Sequence, residues 1–311
     1  MRAVRFHSFG GPLQVDEIDD PIAGADEVLV EISFVSVNPL DLWVRNGTVA
    51  GGIQPLPFIT GVEASGHVAG RPVVVRGQGF GSARQGLAAE RVAVRRDSVI
   101  DVPAGVDLAQ AAGLGVAGVT ALRAVHTLGQ ATADDRVVVF GASGGVGSMA
   151  VQLAVAAGAT VWGQTSSAAK AAGVLAAGAH HVLQGDAATL FAPLAELAPT
   201  LVLDALGGGF TRAAVDALTP GGRLVTYGTS VDPVVTLDFR VLYRKGVRVL
   251  GYGGLLETTE SSRQAMVELL DLVAAGKLSV PIDEVLPFDR AGEAHQRILD
   301  RQVKGKLLLG V

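Results

Sequence analysis

The sequence predicts an α/β protein in which a six-stranded, doubly wound parallel sheet is inserted into a second, β-rich domain. Three observations predict it. From about residue 109, apolar strand-like runs alternate with helix-like stretches. One strand-to-helix turn among them is packed with glycine. The flanking stretches, 1–108 and 278–311, read instead as short strands and turns. The length agrees, since 311 residues exceed the usual single domain.

The first stretch carries strand candidates such as Val28–Ile32 and Arg71–Val75, punctuated by Gly10-Gly11, Asn38-Pro39 and Pro55-Leu56-Pro57. Beyond Pro103 the texture changes, and the alanine- and leucine-rich run Leu108–Leu128 is expected to be helical. Strands are then expected at Arg136–Phe140, Ala159–Gly163, His181–Gln184, Leu201–Asp204, Arg223–Tyr227 and Val247–Tyr252. Helices Val146–Ala157, Ala168–Ala177, Ala187–Leu197 and Phe210–Leu218 separate the first five. These strands are apolar nearly throughout, as befits a parallel sheet covered on both faces. After Leu278 the chain returns to strand texture, with a short helix near Ala291–Asp300 and a last strand Lys306–Val311. The tail is expected to rejoin the first domain, which gives the division 1–108, 109–277 and 278–311. The β-branched run Val247–Leu250 is expected at the sheet edge, where pairing with its copy would make a homodimer.

Composition excludes several classes. A net charge of −5 offers no basic excess for nucleic acid. The arginines of residues 71–96 (Arg71, Arg76, Arg84, Arg91, Arg95 and Arg96) read as solvated loop and strand-edge charges. There is no cysteine, hence no disulfide and no thiolate chemistry. The first residues meet charges and glycines before any apolar run, which predicts no signal peptide and a cytoplasmic protein. The uncharged stretch between Arg136 and Lys170 imitates a membrane span, but its glycines break it, and buried core is the better reading.

The strongest local signal is Gly141-Ala-Ser-Gly-Gly-Val-Gly147. Ala142, Gly144 and Gly147 occupy G-x-G-x-x-G spacing, with Ser143, Gly145 and Val146 between them; an apolar strand enters and a helix leaves. A turn free of β-carbons lets backbone N–H groups approach a pyrophosphate at the positive end of a helix. NAD binding would call for an acidic residue about 20 residues on. Here Thr165, Ser166 and Ser167 stand there instead, with Lys170 close behind. Hydroxyls and an ammonium suit a 2′-phosphate, so the expected cofactor is NADPH. The same hydroxyls could instead cap the next helix.

On these residues the chain resembles the medium-chain dehydrogenase/reductase superfamily, in its zinc-independent quinone oxidoreductase branch. Besides the glycine turn, the resemblance is carried by Asn38-Pro-Leu-Asp41, Arg45-Asn-Gly47, Pro57–Gly66, Gly86–Glu90, Thr120-Ala121, Thr219–Val225, Ala294–Leu299 and Lys304-Gly-Lys306. It implies a GroES-like catalytic domain around an inserted Rossmann domain, NADPH, a substrate cleft between the domains, and commonly a homodimer. Zinc-dependent relatives carry a cysteine near Asn38 and a histidine where Val62 stands; this chain has neither. Trp43 replaces a tyrosine common in relatives, and the connection between Gly66 and Gly70 is shortened.

The resemblance places Asn38 and Asp41 near nicotinamide and substrate. Asn38 is expected to donate to a carbonyl oxygen, Asp41 to order its neighbours or cap a helix, and Trp43 to wall a flat conjugated substrate. It places Thr120 near the nicotinamide ribose, although a helix interior accounts for it equally. Gly228, Gly251, Tyr252 and Gly253 sit at carboxyl ends of strands, which border the ligand crevice in such sheets, or are plain turns. Lys306 could reach a cofactor phosphate or lie in solvent. The function expected is zinc-independent reduction of a quinone, enone or aldehyde by hydride transfer. Alternatives are an enoyl-thioester reductase and a non-catalytic NADP(H) sensor.

Overall fold

A computed structural model describes residues 1–49, 55–254 and 257–311. The chain divides into two compact units, Met1–Val116 with Glu257–Val311, and Ala117–Leu256. The first unit opens with β1 (Arg2–Phe6), β2 (Gln14–Glu17), β3 (Glu27–Val37), α1 (Pro39–Arg45), β4 (Phe58–Ile59), β5 (Glu63–Val68), β6 (Arg71–Arg76), β7 (Arg91–Arg95), β8 (Val99–Asp101) and α2 (Leu108–Ala112). The second unit supplies α3 (Val119–Leu122), β9 (Arg136–Val139), α4 (Gly145–Ala156), β10 (Thr160–Thr165), α5 (Ala171–Ala176) and β11 (His181–Gln184). It continues with α6 (Ala187–Leu197), β12 (Leu201–Asp204), α7 (Gly208–Ala217), β13 (Arg223–Thr226), α8 (Phe239–Lys245) and β14 (Arg248–Gly251). The return to the first unit is α9 (Thr259–Ala274), β15 (Ile282–Pro287), α10 (Ala291–Leu299) and β16 (Lys306–Gly310).

In the first unit a seven-stranded sheet runs β15-β16-β3-β5-β6-β8, with β7 paired to β3, and β2-β1-β4 form a smaller sheet. The long, β-branched β3 serves several partners: Glu27–Glu31 pair with β7, and Phe34–Val37 pair with β16. Its buried Val30, Ile32 and Val35 join Val73, Val75, Leu87, Val94, Leu307 and Leu309 in one core. Each such side chain contributes about 1.5–3 kcal/mol when fully buried. The shortened connection after Gly66 closes as a two-residue hairpin. Ala69 and Gly70 take φ of 48° and 79°, and Val68 faces Arg71, the turn geometry that matches strand twist.

The second unit holds the parallel sheet in the order β11-β10-β9-β12-β13-β14. All six expected strands are present. Val138, Phe140, Val202 and Leu224 pack against Leu190, Leu194, Phe210 and Ala214 on one side of it.

The helical reading of Leu108–Leu128 holds: α2 is followed after Gly113 by a continuous helical run, wound more widely over Leu114–Gly118 and Arg123–Leu128 than in α3. Two expected boundaries move. The α2 end stays with the first unit because Ser65 Oγ donates to Leu108 O at 2.7 Å and Val280 N donates to Gln110 Oε1. The expected boundary at 277 likewise falls at 257. Helix α9, which the sequence places in the nucleotide domain, buries Ala265, Met266, Leu269 and Leu270 and ties itself to the first unit. Arg263 donates to Val99 O at 2.9 Å, and Arg76 to Ser262 Oγ. Among the described residues no helix is long and apolar enough to cross a membrane.

Candidate functional site

In the second unit β9 delivers the chain to the glycine bend. Gly141 turns it with φ of 67°, Gly144 is the extended cap, and α4 starts at Gly145. Gly147 could carry no side chain, because a Cβ there would lie 2.2 Å from the Gly141 carbonyl oxygen. Ala142 is fully buried, with its methyl facing β10, where a Cβ on Gly163 would come within 3.0 Å of it. The first N–H groups of α4, those of Gly145, Val146 and Gly147, have no acceptor within the helix. They sit at the positive end of its dipole, and no acidic side chain occupies the first turn. Ser143 to Val146 retain accessible surface. This cradle fits a diphosphate.

At the end of β10 the expected phosphate group divides. Thr165 is 1% exposed, with its hydroxyl 3.5 Å from Ser143 Oγ, so it faces the bend and offers a ligand almost no surface. Ser166 is exposed, and Ser167 and Lys170 are half-buried. Ser167 begins the next helical turn without a side-chain cap bond, which frees its hydroxyl from that role. No carboxylate occurs between Asp135 and Asp186. The other crevice candidates differ in what holds them. Gly228 is half-buried, and a Cβ would meet Ala205 O at 3.1 Å. Gly251 and Gly253 are exposed with open space where a Cβ would be, so crowding within this unit does not require glycine there. Tyr252 is half-buried and its N–H donates to Thr226 O. Thr120 lies in α3 at 9% exposure, a helix-interior position.

Sequence reasoning missed Gln164. This residue of β10 is 2% exposed; its Oε1 accepts from Gly141 N at 3.0 Å and its Nε2 donates to Gly185 O at 2.9 Å. The available signal was a lone amide inside an apolar strand, since a buried polar group needs partners.

In the first unit Asn38, Asp41, Glu63 and Lys306 come together at 0–4% exposure. Lys306 Nζ donates to Asn38 Oδ1 at 2.6 Å and to Glu63 Oε1 at 3.2 Å. Asn38 Nδ2 donates to Glu63 Oε1 and Ser36 O, and Val116 N to Glu63 Oε2 at 2.6 Å. Asp41 accepts from Asn38 N and Gly61 N, so the helix-capping role holds at α1. Burial, reinforced by the Glu63 charge, pushes the Asp41 carboxyl up to about 7, against the Asn38 N–H and the Lys306 ammonium. One expectation is corrected here: Lys306 does not lie in solvent, because its ammonium is buried against Glu63 and Asn38. Asn38 has both amide hydrogens committed inside the protein, so donation to a substrate carbonyl would cost existing bonds. Glu63 was not singled out in the sequence; beside Val62 it reads as one acid in an apolar strand. Trp43, on α1, is 45% exposed and free to present its ring.

Comparison with known proteins adds identity to this geometry. An alcohol dehydrogenase GroES-like domain model matches residues 24–104, and a zinc-binding dehydrogenase model matches residues 177–309. Quinone oxidoreductase 1 of Escherichia coli (strain K12) is 28% identical over 330 residues, covering 98% of this chain and 98% of that protein. The quinone oxidoreductase of Thermus thermophilus, solved also with NADPH, is 30% identical with a TM-score of 0.87 over 100% of both chains. An NAD-dependent alcohol dehydrogenase reaches 0.91 at 28% identity, again over 100% of both. The zinc in one family description does not suit the donors present. The sequence lacks cysteine, and both Glu63 oxygens are engaged by protein donors. Among the described residues no group of three or more His, Cys, Asp or Glu could hold a metal.

Proposed function

Since the chain belongs to the medium-chain dehydrogenase/reductase superfamily, in its quinone oxidoreductase branch, we propose that it is a zinc-independent, NADPH-dependent reductase of quinones, enones or aldehydes. The observation that carries this reading is the pairing of the glycine bend with the Ser166, Ser167 and Lys170 group after β10, where no carboxylate stands. The α4 N–H groups would hold the diphosphate and the hydroxyls and ammonium the 2′-phosphate. When bound, the cofactor supplies hydride from nicotinamide C4. The chain contributes binding, orientation and an apolar indole surface at Trp43. In the first unit the buried Lys306 ammonium is the cation paired with Glu63. The enzyme is proposed to work in the cytoplasm as a homodimer joined along β14.

NADPH and NADH oxidation across ortho-quinones, para-quinones, enones, aldehydes and enoyl-CoAs tests the reading. Turnover with a quinone, enone or aldehyde supports it, whereas preference for enoyl-CoA makes the enoyl-thioester alternative correct. Lys170→Ala should weaken NADPH about tenfold or more and NADH little, since a charge-assisted phosphate contact is lost. Equal losses would overturn the 2′-phosphate assignment in favour of the NAD use named for one structural relative. A second reading, a nucleotide-binding sensor, is favoured by the commitment of the Asn38 amide and the burial of Asp41. Tight NADPH binding without turnover on the whole panel would select it.

A further inference from the structure

The bend after β9 has a feature that its glycines do not explain. Two consecutive N–H groups, those of Gly141 and Ala142, are both taken by one residue: Gly141 N donates to the Gln164 side-chain oxygen and Ala142 N to the Gln164 carbonyl at 2.9 Å. Gly144 N turns back to Gly141 O at 3.0 Å. The N–H groups left for a ligand are therefore those of Ser143 and of the first turn of α4. On its other side the Gln164 amide grips Gly185 O. That loop is itself held: Gly185 N donates to Thr165 O, a Cβ on Gly185 would strike Thr189 Oγ1, and Asp186 caps α6 through Thr189 N. One buried amide thus joins the loop following β9 to the loop following β11 across β10.

We infer that Gln164 is a positioning residue for nucleotide binding, its side-chain amide bridging Gly141 N–H and the Gly185 carbonyl so that the diphosphate cradle is formed before a ligand arrives. The inference rests on the dinucleotide reading of the bend. A neutral amide suits this place because it supplies one acceptor and one donor at once. A carboxylate would keep the acceptor but would bring negative charge beneath a diphosphate, and an aliphatic chain would leave both backbone groups unpaired in a buried site. Bonds that hold the bend in its binding shape lower the ordering cost of association.

The test compares wild type, Gln164→Met and Gln164→Glu by calorimetric titration with NADPH, 2′-phospho-ADP-ribose and 2′-AMP. Both diphosphate ligands should bind Gln164→Met about tenfold more weakly, in line with the loss of two buried hydrogen bonds. Binding of 2′-AMP, which has no diphosphate, should be unchanged. The Gln164→Glu variant, which retains the Gly141 bond and the side-chain volume, should lose diphosphate affinity in the same direction. In steady state the KM for NADPH should rise while kcat holds. A general loss of structure would weaken 2′-AMP as well, and that result overturns the assignment, as does unchanged NADPH affinity in both variants. Amide hydrogen exchange on the ligand-free wild type gives an independent check that needs no variant. Slow exchange at Gly141 is expected, and fast exchange there refutes a preformed bend. Wild type that binds none of the three ligands would refute the dinucleotide reading itself, an outcome distinct from the others.

Discussion

Lys306 illustrates how one side chain can be read two ways until its surroundings are known. In the sequence it is the lysine of a terminal Gly-Lys pair, open to phosphate or solvent. In the fold its ammonium is 4% exposed and paired with a fully buried glutamate. Breaking a buried pair from one side leaves an uncompensated charge, which costs about 3–5 kcal/mol. Lys306→Met should lower the stability of the first unit by that order, read from urea unfolding at neutral pH. Adding Glu63→Met should recover part of the loss, because it removes the uncompensated charge but leaves Asn38 Nδ2 and Val116 N without their acceptor. A loss under about 1 kcal/mol for the single variant would mean that the carboxylate finds water or another donor, and the buried pair would not be the holding interaction described.

At the scale of elements, local periodicity is a good guide where burial is symmetric and a poor one where it is not. The central parallel strands β9, β12 and β13 are apolar and largely buried, so their positions are readable almost to the residue; β12 spans the expected Leu201–Asp204. Helix α9 escapes a reading by pattern although Thr258 caps it and an apolar stripe runs down it. Its many polar residues obscure that stripe, and its assignment to the first unit depends on Arg263 meeting Val99, far away in sequence. Strand β14 pairs on one side with β13 and ends the sheet. Val249 is 43% exposed on it, with Phe239 and Tyr243 exposed on the preceding α8. An apolar edge of this kind calls for cover. If a second copy covers it, Val249→Lys should convert a dimer to a monomer in sedimentation velocity with little change in NADPH binding. A wild type that sediments as a monomer at micromolar concentration would dispose of the dimer.

Over the whole molecule, pH acts through two buried groups with opposite signs. Asp41 rises from 3.8 to about 7, chiefly through burial. Between these values the folded chain holds a proton that the unfolded chain has lost, so stability falls as pH rises through that window. His295, 1% exposed in α10, is pushed from 6.5 down to about 3 by burial and by the Arg45 charge. Between those values the unfolded chain takes up a proton that the folded chain refuses, so stability rises with pH. The two contributions oppose each other across about pH 4–6.5, each at up to about 1.36 kcal/mol per pH unit. Asp41→Asn should therefore make thermal stability climb with pH over this range, relative to wild type. His295→Phe should make it decline. Parallel profiles for all three proteins would show that neither group titrates as its burial requires.

Local patterns in the chain suffice for the α/β class, the six-stranded order of elements, the return of the tail to the first unit and the glycine bend. Strand and helix periods carry the first three, and the last is written in glycines where a β-carbon would collide, as at Gly147. Folding in three dimensions decides which polar groups are spent on the protein and which remain for a ligand. Lys306 and Glu63 are 243 residues apart in the chain, and Gln164 meets Gly141 and Gly185 through strand packing. A hydrogen bond is short-ranged and directional, so its partner depends on how distant segments are brought together and cannot be read from neighbours in the chain.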